Sequence, residues 1–163
     1  MLRIAIPGRD PLELEHVVCD MNGTLAEDGQ ILPGVAERLA ELSGKLGVHL
    51  LTADTHGTMP EVVAAIRSAC AAKGTADPHW ERVATGTAKA EYVLRLGGAS
   101  VVALGNGAND EPMFRAAGLS IGVMGTEGLF ARTLLAADIV AASPLDALDL
   151  VRNPVRLTAT LRL

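Results

Sequence analysis

Residues 16–24 read HVVCDMNGT, an apolar run that ends in an acidic residue and is followed by a glycine turn and a hydroxyl. The run predicts a buried strand with Asp20 at its carboxyl end. Ligands bind at the carboxyl ends of strands in open α/β sheets, and backbone N–H groups of a tight turn can face a phosphate. We therefore predict that Asp20 and the turn Asn22-Gly23-Thr24 belong to a phosphate site.

After this run, short apolar runs alternate with longer segments of helical period, which is the pattern of α/β proteins. We predict a mainly parallel sheet, and residues 1–163 are expected to form a single domain. Strands are expected at 48–51, 101–104, 119–123 and 138–142, and helices at 34–46, 59–72, 87–96, 111–117, 127–136 and 145–151.

Two hairpins are also predicted. Residues 2–6 and 12–19 flank the turn sequence PGRD, so residues 1–14 are expected to add a hairpin or an edge strand to the sheet. Asp28-Gly29 is a second hairpin signal, because this dipeptide favours tight turns between strands.

Composition and charge limit the partners of the protein. The chain has 163 residues, of which 49% are hydrophobic, so it can bury a core of its own. Its net charge of −5 argues against a nucleic acid or an anionic membrane as partner, since both favour a basic surface. We find no apolar stretch of membrane-spanning length and expect a cytoplasmic protein. Cys19 and Cys70 have no metal-ligand spacing and are expected to be reduced and buried.

Three further features stand at predicted strand ends or helix starts: Thr52, Lys89 and residues 105–110, GNGAND. In a parallel sheet these positions converge with Asp20 on one crevice. Phosphoryl transfer requires such a set, because a carboxylate can attack phosphorus while a hydroxyl and an ammonium bind the phosphoryl oxygens. Oxygen ligands indicate Mg²⁺ as the cation that offsets the remaining charge.

The order of these motifs resembles the haloacid dehalogenase (HAD) superfamily of phosphohydrolases, whose fold is Rossmann-like and doubly wound with helices on both faces. Residues 105–113, GNGANDEPM, are similar to the phosphorylation domain of P-type ATPases and to small soluble proteins related to it. The resemblance implies that Asp20 is the nucleophile and that Asn109 orients Lys89 or Asp110.

The implied site residues fall into three overlapping groups. The catalytic residues would be Asp20, Asn22, Thr52 and Lys89. The phosphate-binding residues would be Asn22, Gly23, Thr24, Thr52, Ala53, Lys89 and Asn109. The Mg²⁺ ligands would be Asp20, the backbone carbonyl of Asn22, Asn106 and Asp110.

Two positions depart from the family pattern. Asn22 stands where typical phosphatases of the superfamily have an Asp that acts as general acid and base, and losing such a group costs roughly 10²–10⁴ in rate. Asn106 stands where the family usually has an Asp near the metal. We therefore expect slow turnover and weakened Mg²⁺ binding.

The spacing of the motifs leaves no room for a substrate-selecting cap domain. A hairpin and a helix fill the interval from Asp20 to Thr52, and a helix and a short strand fill the interval from Thr52 to Lys89. An open crevice is expected, which suits a small phosphorylated substrate or a phosphoprotein, or a second copy of the chain that covers the site in a homo-oligomer.

Other interpretations remain open at this stage. The protein could be a phosphate-binding interaction module without activity, or, less in keeping with the motif order, a response-regulator receiver. Asp20 and Asp110 could be turn or helix caps, and Lys73 is a rival to Lys89. Asp54 and His56 could contact substrate or only shape a turn, whereas His49 and Trp80 are expected to be packed in the interior.

Overall fold

The computed structural model of the protein describes residues 1–54 and 56–163. Its strands are β1 Leu2–Ile4, β2 Leu12–Leu14, β3 His16–Asp20, β4 Ala26–Glu27, β5 Gln30–Ile31, β6 Gly47–Thr52, β7 His79–Arg82, β8 Val101–Gly105, β9 Leu119–Val123 and β10 Ile139–Ala141. Its helices are α1 Val35–Ser43, α2 Met59–Lys73, α3 Gly86–Arg95, α4 Glu111–Ala116, α5 Ala131–Ala136, α6 Pro144–Arg152 and α7 Pro154–Leu161. Short 3₁₀ turns cover Gly98–Ser100 and Ala108–Asp110.

Six parallel strands form the central sheet in the order β10-β9-β8-β3-β6-β7. From β3 the chain continues to β6 and β7 on one side, and it then returns to build β8, β9 and β10 on the other side. This reversal of strand order beside β3 is the doubly wound arrangement, and it creates a crevice at the carboxyl ends of the central strands. The predicted Rossmann-like α/β fold is confirmed.

Helices cover both faces of the sheet, because successive side chains of β3 point in opposite directions. Val17 and Cys19 pack in the cluster that includes α1, α2, α6 and α7. Val18 packs in a second cluster with α3 and α4. Most of these side chains are aliphatic, in keeping with the low aromatic content of 2%.

Residues 2–14 form the expected hairpin, in which Leu2 pairs with Leu14 and Ile4 with Leu12. The expectation that this hairpin adds an edge strand to the main sheet is wrong, since β1 and β2 form a two-stranded sheet of their own. The reason is the position of β3, which follows β2 and is hydrogen-bonded by β6 and β8 on its two sides. The chain therefore enters the sheet at its centre, where there is no free edge.

The second predicted hairpin is confirmed as β4 and β5. Asp28 and Gly29 connect the two strands, and both have positive φ angles, 48° and 76°. A turn with two left-handed residues matches the twist of short antiparallel strands.

Two helices differ from expectation. Helix α5 begins at Ala131 and not at Glu127, because Gly128 has a φ of 78° and its N–H donates to Gly125 in a turn. Helix α7 was not expected. It begins at Pro154, a residue that fits the first turn of a helix because it needs no N–H partner there.

Between β3 and β6 the described chain contains only β4, β5 and α1, and between β6 and α3 the described ranges contain only α2 and β7. Neither interval holds a cap domain in the residues that the structure describes, as the motif spacing predicts. None of the described helices combines the length and the apolar character needed to cross a membrane.

Candidate active site

A small cavity lies at the carboxyl edge of the central sheet, where β3, β6 and β8 end. Its volume is about 180 Å³, and its walls are formed by Asp20, Asn22, Thr52, Ala53, Asn106, Gly107, Asn109 and Glu127. A larger groove of about 740 Å³ runs along the N-terminal hairpin near Ser100, at the opposite edge of the sheet, away from this polar cluster. The small cavity therefore marks the candidate site.

Lys89 is the centre of this site. Its Nζ atom lies 2.5 Å from Asp20 Oδ1 and 2.7 Å from Asp110 Oδ1. Lys89 and Asp110 are fully buried, and Asp20 is 8% exposed. Helix α3 brings Lys89 here in its first turn, which is fixed by the hydroxyl of Thr85 accepting from Ala88 N–H. A buried ammonium of this kind persists only when its charge is paired.

The alternative lysine lies elsewhere. Lys73 forms a surface ion pair with Glu41 at 3.1 Å, and both side chains are more than a third exposed. The structure thus brings Lys89, and not Lys73, to the end of β3.

The two carboxylates and one ammonium affect each other's ionisation. Burial, and next to it the charge of Asp110, raises the pKa of Asp20 to about 7, although Lys89 opposes the shift. Burial alone would lower the pKa of Lys89, but the charges of Asp20 and Asp110 outweigh it, so the net shift of this pKa is upward. Lys89 therefore stays charged, whereas Asp20 changes its protonation near neutral pH.

Asp110 has both oxygens occupied. While Oδ1 faces Lys89, Oδ2 accepts from the backbone N–H groups of Asn106, at 2.9 Å, and Gly107, at 2.8 Å. Asp110 is fully buried with three donors and does not line the cavity, so the expectation that it is a metal ligand is wrong. The residue instead shapes the loop after β8 and pairs with Lys89. Its side chain does not cap α4.

Thr24 lies beneath the site and not on its wall. Its hydroxyl is 3.0 Å from Asn106 Oδ1 and 3.3 Å from Asp20 Oδ2, and the residue is fully buried. The N–H of Gly23 donates to Ala26, and the N–H of Thr24 donates to Met21. The expectation that Gly23 and Thr24 bind phosphate through these N–H groups is therefore wrong, because the turn itself uses them.

Thr52 and Ala53 line the cavity at the end of β6. The oxygen of the Thr52 hydroxyl accepts from Asp54 N–H at 2.9 Å, which leaves the hydroxyl hydrogen free to donate into the cavity. Asp54 itself accepts from Met59 N–H at 3.1 Å at the start of α2, so its turn-shaping interpretation is the one observed. His56 is exposed and lies against Gly29 of the second hairpin, outside the cavity wall.

Asn109 also lines the cavity, but its predicted orienting role is not observed. It is exposed, and among the described contacts it makes no hydrogen bond to Lys89 or Asp110. Asn22 is half-buried and lines the same cavity.

Glu127 lines the cavity although it is not among the residues predicted from the sequence. The stretch 124–128, MGTEG, directly follows β9 and so reaches the same carboxyl edge as the other motifs. That position after a strand was the signal that could have revealed it. The helical period of residues 127–136 instead predicts that Glu127 begins a helix, so the sequence does not point to Glu127 as a site residue.

At the amino end of the sheet, His49 forms part of a separate cluster. One of its ring nitrogens lies 3.0 Å from His16 Nδ1, and the other lies 2.8 Å from the Tyr92 hydroxyl. His49 is thus packed, as expected. The expectation for Trp80 is wrong, because this residue lies on the edge strand β7 and is 37% exposed.

The cavity offers oxygen ligands to a cation but few carboxylates. Within residues 1–54 and 56–163, no group of three or more His, Cys, Asp or Glu side chains is arranged to share a metal ion. The cavity instead offers the carboxylate of Asp20 together with amide oxygens at Asn22 and Asn106. Oxygen-only ligands fit a hard cation such as Mg²⁺, which often keeps several waters and needs only one or two carboxylates.

Known structures share this arrangement of strands and helices. A candidate HAD superfamily (subfamily III A) hydrolase from Legionella pneumophila superimposes with a TM-score of 0.67 and 15% identity, over 91% of this chain and 87% of the other. This protein has the HAD fold. The 3-deoxy-D-manno-octulosonate 8-phosphate phosphatase of Moraxella catarrhalis, in complex with magnesium, phosphate and KDO, matches with a TM-score of 0.60 and 17% identity, over 91% and 94% of the two chains.

A cobalt-bound phosphatase for deoxy-D-mannose-octulosonate 8-phosphate from Haemophilus influenzae has the same HAD fold. It matches with a TM-score of 0.63 and 14% identity, over 93% of this chain and 95% of the other. Identities this low establish the fold, so the chemistry of the chain has to be argued from its own residues.

Sequence similarity is stronger but more local. The chain is 48% identical to uncharacterized protein MJ0073 of Methanocaldococcus jannaschii over 62 residues, which are 38% of this chain and 67% of that protein. It is 46% identical to uncharacterized protein MJ0072 of the same organism over 39 residues, 24% of this chain and 89% of that protein. The HAD-fold chain belongs to one family with these proteins. No protein-family model matches it.

Proposed function

We propose that this protein is a phosphohydrolase in which Asp20 attacks phosphorus and becomes an aspartyl phosphate. The observation that supports this proposal best is the buried ammonium of Lys89, which lies 2.5 Å from Asp20, a residue that lines a small polar cavity. Lys89, Thr52 and Asp20 come from three separate segments of the chain, and all three occur at the carboxyl edge where α/β sheets bind ligands.

In the first step, an oxygen of Asp20 forms a bond to phosphorus while the bond from phosphorus to the leaving oxygen breaks. Lys89 and the Thr52 hydroxyl bind the phosphoryl oxygens, and Asp110 holds Lys89 in place. Asn22 has no acidic proton, so the leaving oxygen takes its proton from water. In the second step, water attacks phosphorus, which releases inorganic phosphate and restores the carboxylate of Asp20.

A divalent cation, held by Asp20 and by amide oxygens of Asn22 and Asn106, would supply positive charge that offsets the charge of the phosphate. The magnesium and phosphate bound to the Moraxella phosphatase of the same fold support Mg²⁺ as this cation. Because Asp20 has its pKa near 7 without a cation, added positive charge also favours the ionised form that attacks.

Slow turnover follows from Asn22. An amide cannot act as general acid or base, which costs roughly 10²–10⁴ in rate. The aspartyl phosphate should therefore persist, as it does in the P-type ATPases whose phosphorylation motif residues 105–113 resemble.

The cavity of about 180 Å³ can take a phosphoryl group but is smaller than typical ligand pockets of roughly 300–1,000 Å³. A larger substrate would extend beyond it, at an edge that no cap covers in the described chain. This geometry is compatible with a small phosphorylated substrate or a phosphoprotein, and a homo-oligomer remains a prediction.

The test is phosphate release from an aryl phosphate in the presence of Mg²⁺. Asp20→Asn should abolish release, and mass spectrometry after incubation with acetyl phosphate should show a labile phosphoryl group on the peptide that contains Asp20. Asp77→Asn is the matched control, because Asp77 is 57% exposed and pairs with Arg67 on the surface. A wild-type rate in Asp20→Asn would refute the proposal.

Asn22 and Asn106 favour one alternative, a phosphate-responsive binding module without turnover. Such a protein would bind beryllofluoride with Mg²⁺ but release no phosphate over hours. In that case Asn22→Asp combined with Asn106→Asp should create activity, and no gain would count against this alternative.

A further inference from the structure

Glu127 has the position of a site residue but has no partner of its own. It lines the same cavity as Asp20, Asn22 and Asn106. Its side chain is exposed, and within the part of the chain that the structure describes its carboxylate makes no hydrogen bond or ion pair. A free carboxylate on the wall of a small polar cavity is available to a ligand.

The absence of a side chain at Gly23 lets Glu127 approach the centre of the site. A Cβ atom at this position would lie 2.6 Å from Glu127 Oε2 and 2.6 Å from Asn106 Nδ2. The two side-chain atoms are therefore at most twice that distance apart, and Asn106 Oδ1 is 3.0 Å from the same point. Glu127 and Asn106 thus converge above the turn that follows Asp20.

Asn106 holds the loop that carries Glu127. Its side-chain Nδ2 donates to the carbonyl of Gly128 at 3.1 Å. The backbone carbonyl of Asn106 accepts from Phe130 N–H at 2.9 Å. An Asp at position 106 could not donate to Gly128, and its negative charge would face a carbonyl oxygen. The amide at 106 therefore has a structural role that a carboxylate would not fulfil.

The carboxylates near the cavity are not equally available to a cation. Asp110 is fully buried against Lys89 and two backbone N–H groups and does not line the cavity, so it is not available to a cation there. Asp20 alone, next to the ammonium of Lys89, is a weak anchor for a divalent ion. One more carboxylate would complete the set that Mg²⁺ commonly takes in proteins.

We propose that Glu127 supplies the second carboxylate of the cation site, in place of the acidic residue that Asn106 replaces. Where the family pattern has a carboxylate on the loop after β8, this chain has one on the loop after β9. The amide of Asn106 holds the loop after β9 in position. The inference rests on the proposed function, because it assigns a ligand to the cation of that same site.

The experiment is a titration of the protein with Mn²⁺ alone, in which electron paramagnetic resonance measures the free ion. Mn²⁺ takes the same oxygen ligands as Mg²⁺. Glu127→Gln should weaken binding by at least roughly 10-fold, since even the loss of an outer-shell partner of a metal ligand costs roughly 10–100-fold. Glu13→Gln is the matched control, because Glu13 is 56% exposed on the N-terminal hairpin. Adding Asn106→Asp to Glu127→Gln should restore much of the affinity, since the carboxylate count is then that of the wild type.

The outcomes separate this inference from the proposed function. Unchanged Mn²⁺ affinity in Glu127→Gln would overturn the inference, even if the wild type binds Mn²⁺ and releases phosphate. A lower rate with unchanged affinity would also overturn it and would assign Glu127 to proton transfer. If the wild type bound no Mn²⁺ at all, the cation-dependent mechanism would fail together with the inference. Glu127 is exposed, so the thermal stability of the metal-free variant should match that of the wild type and exclude misfolding.

Discussion

The Nζ atom of Lys89 lies 2.5 Å from an oxygen of Asp20, although the two residues are 69 positions apart in the chain. Asp110 approaches the same nitrogen to 2.7 Å from the other side. Two carboxylates thus share one ammonium, and the group has a net negative charge when Asp20 is ionised. In the proposed reaction, a bound cation would offset this charge when a phosphate enters the site.

Replacing the shared ammonium should destabilise the protein. In Lys89→Met the two buried carboxylates face each other without compensation, so we expect the free energy of unfolding to fall by about 3–5 kcal/mol at pH 8. Urea denaturation measures this change. The loss should be smaller at pH 5, where Asp20, whose pKa is raised to about 7 in the wild type, can bind a proton.

Lys73→Met is the control for that experiment. Its ion pair with Glu41 lies at the surface, where such pairs contribute about 0–1 kcal/mol. Equal losses for Lys73→Met and Lys89→Met would contradict the picture of a buried charge cluster.

The ionisation of Asp20 should make stability depend on pH. Its pKa is raised in the folded protein to about 7, from 3.8, so its contribution is fully present at acid pH and is lost as the pH rises from about 4 through 7. Without metal, Asp20→Asn should therefore be more stable than the wild type at pH 8, by on the order of 4 kcal/mol. The difference should vanish near pH 4. Melting temperatures of the two proteins across this range measure it, and a difference that does not change with pH would rule out the raised pKa.

Replacing Gly23 with a residue that has a side chain should destabilise the protein. Gly23 has a φ of 77°, and an added Cβ would lie 2.6 Å from both Asn106 and Glu127. Gly74→Ala provides the comparison, since Gly74 has a φ of 66° with nothing within 4 Å of its Cβ position. Both variants lose the left-handed freedom of glycine, but Gly23→Ala should cost about 1–3 kcal/mol more because of the overlap. It should also weaken Mn²⁺ binding, and identical stabilities for the two variants would show that the site can relax around the methyl group.

The histidine cluster should make the protein sensitive to acid. Burial, followed by the charges of His16 and His79, lowers the pKa of His49 to about 4, from 6.5. A group with a lowered folded pKa loses its contribution as the pH falls from 6.5 to 4. His49→Gln should reduce this acid loss of stability and leave phosphate release unchanged. If the variant and the wild type lose stability in parallel below pH 6.5, His49 does not titrate as described.

Much of the site could be predicted from the sequence, because its residues follow apolar runs whose ends meet in a parallel sheet. Asp20, Thr52 and Lys89 were identified in this way, and they lie together. The role of Asp110 could not be predicted, because it depends on three donors that only the folded loop brings to its oxygens. For the same reason the turn at Gly23 and Thr24 resembled a phosphate-binding turn, although its N–H groups are internally bonded. Glu127 was concealed by a helical period that Gly128 interrupts.

Strand β6 carries His49 of the histidine cluster at its third residue and Thr52 of the cavity at its last, a separation of about 10 Å along the strand. Substitutions around His16 and Tyr92 that are selected for resistance to heat should therefore raise the melting temperature. The rate of phosphate release should not change. Substitutions on the exposed part of the cavity wall, such as at Asn109, should likewise alter the site without disturbing the histidine cluster.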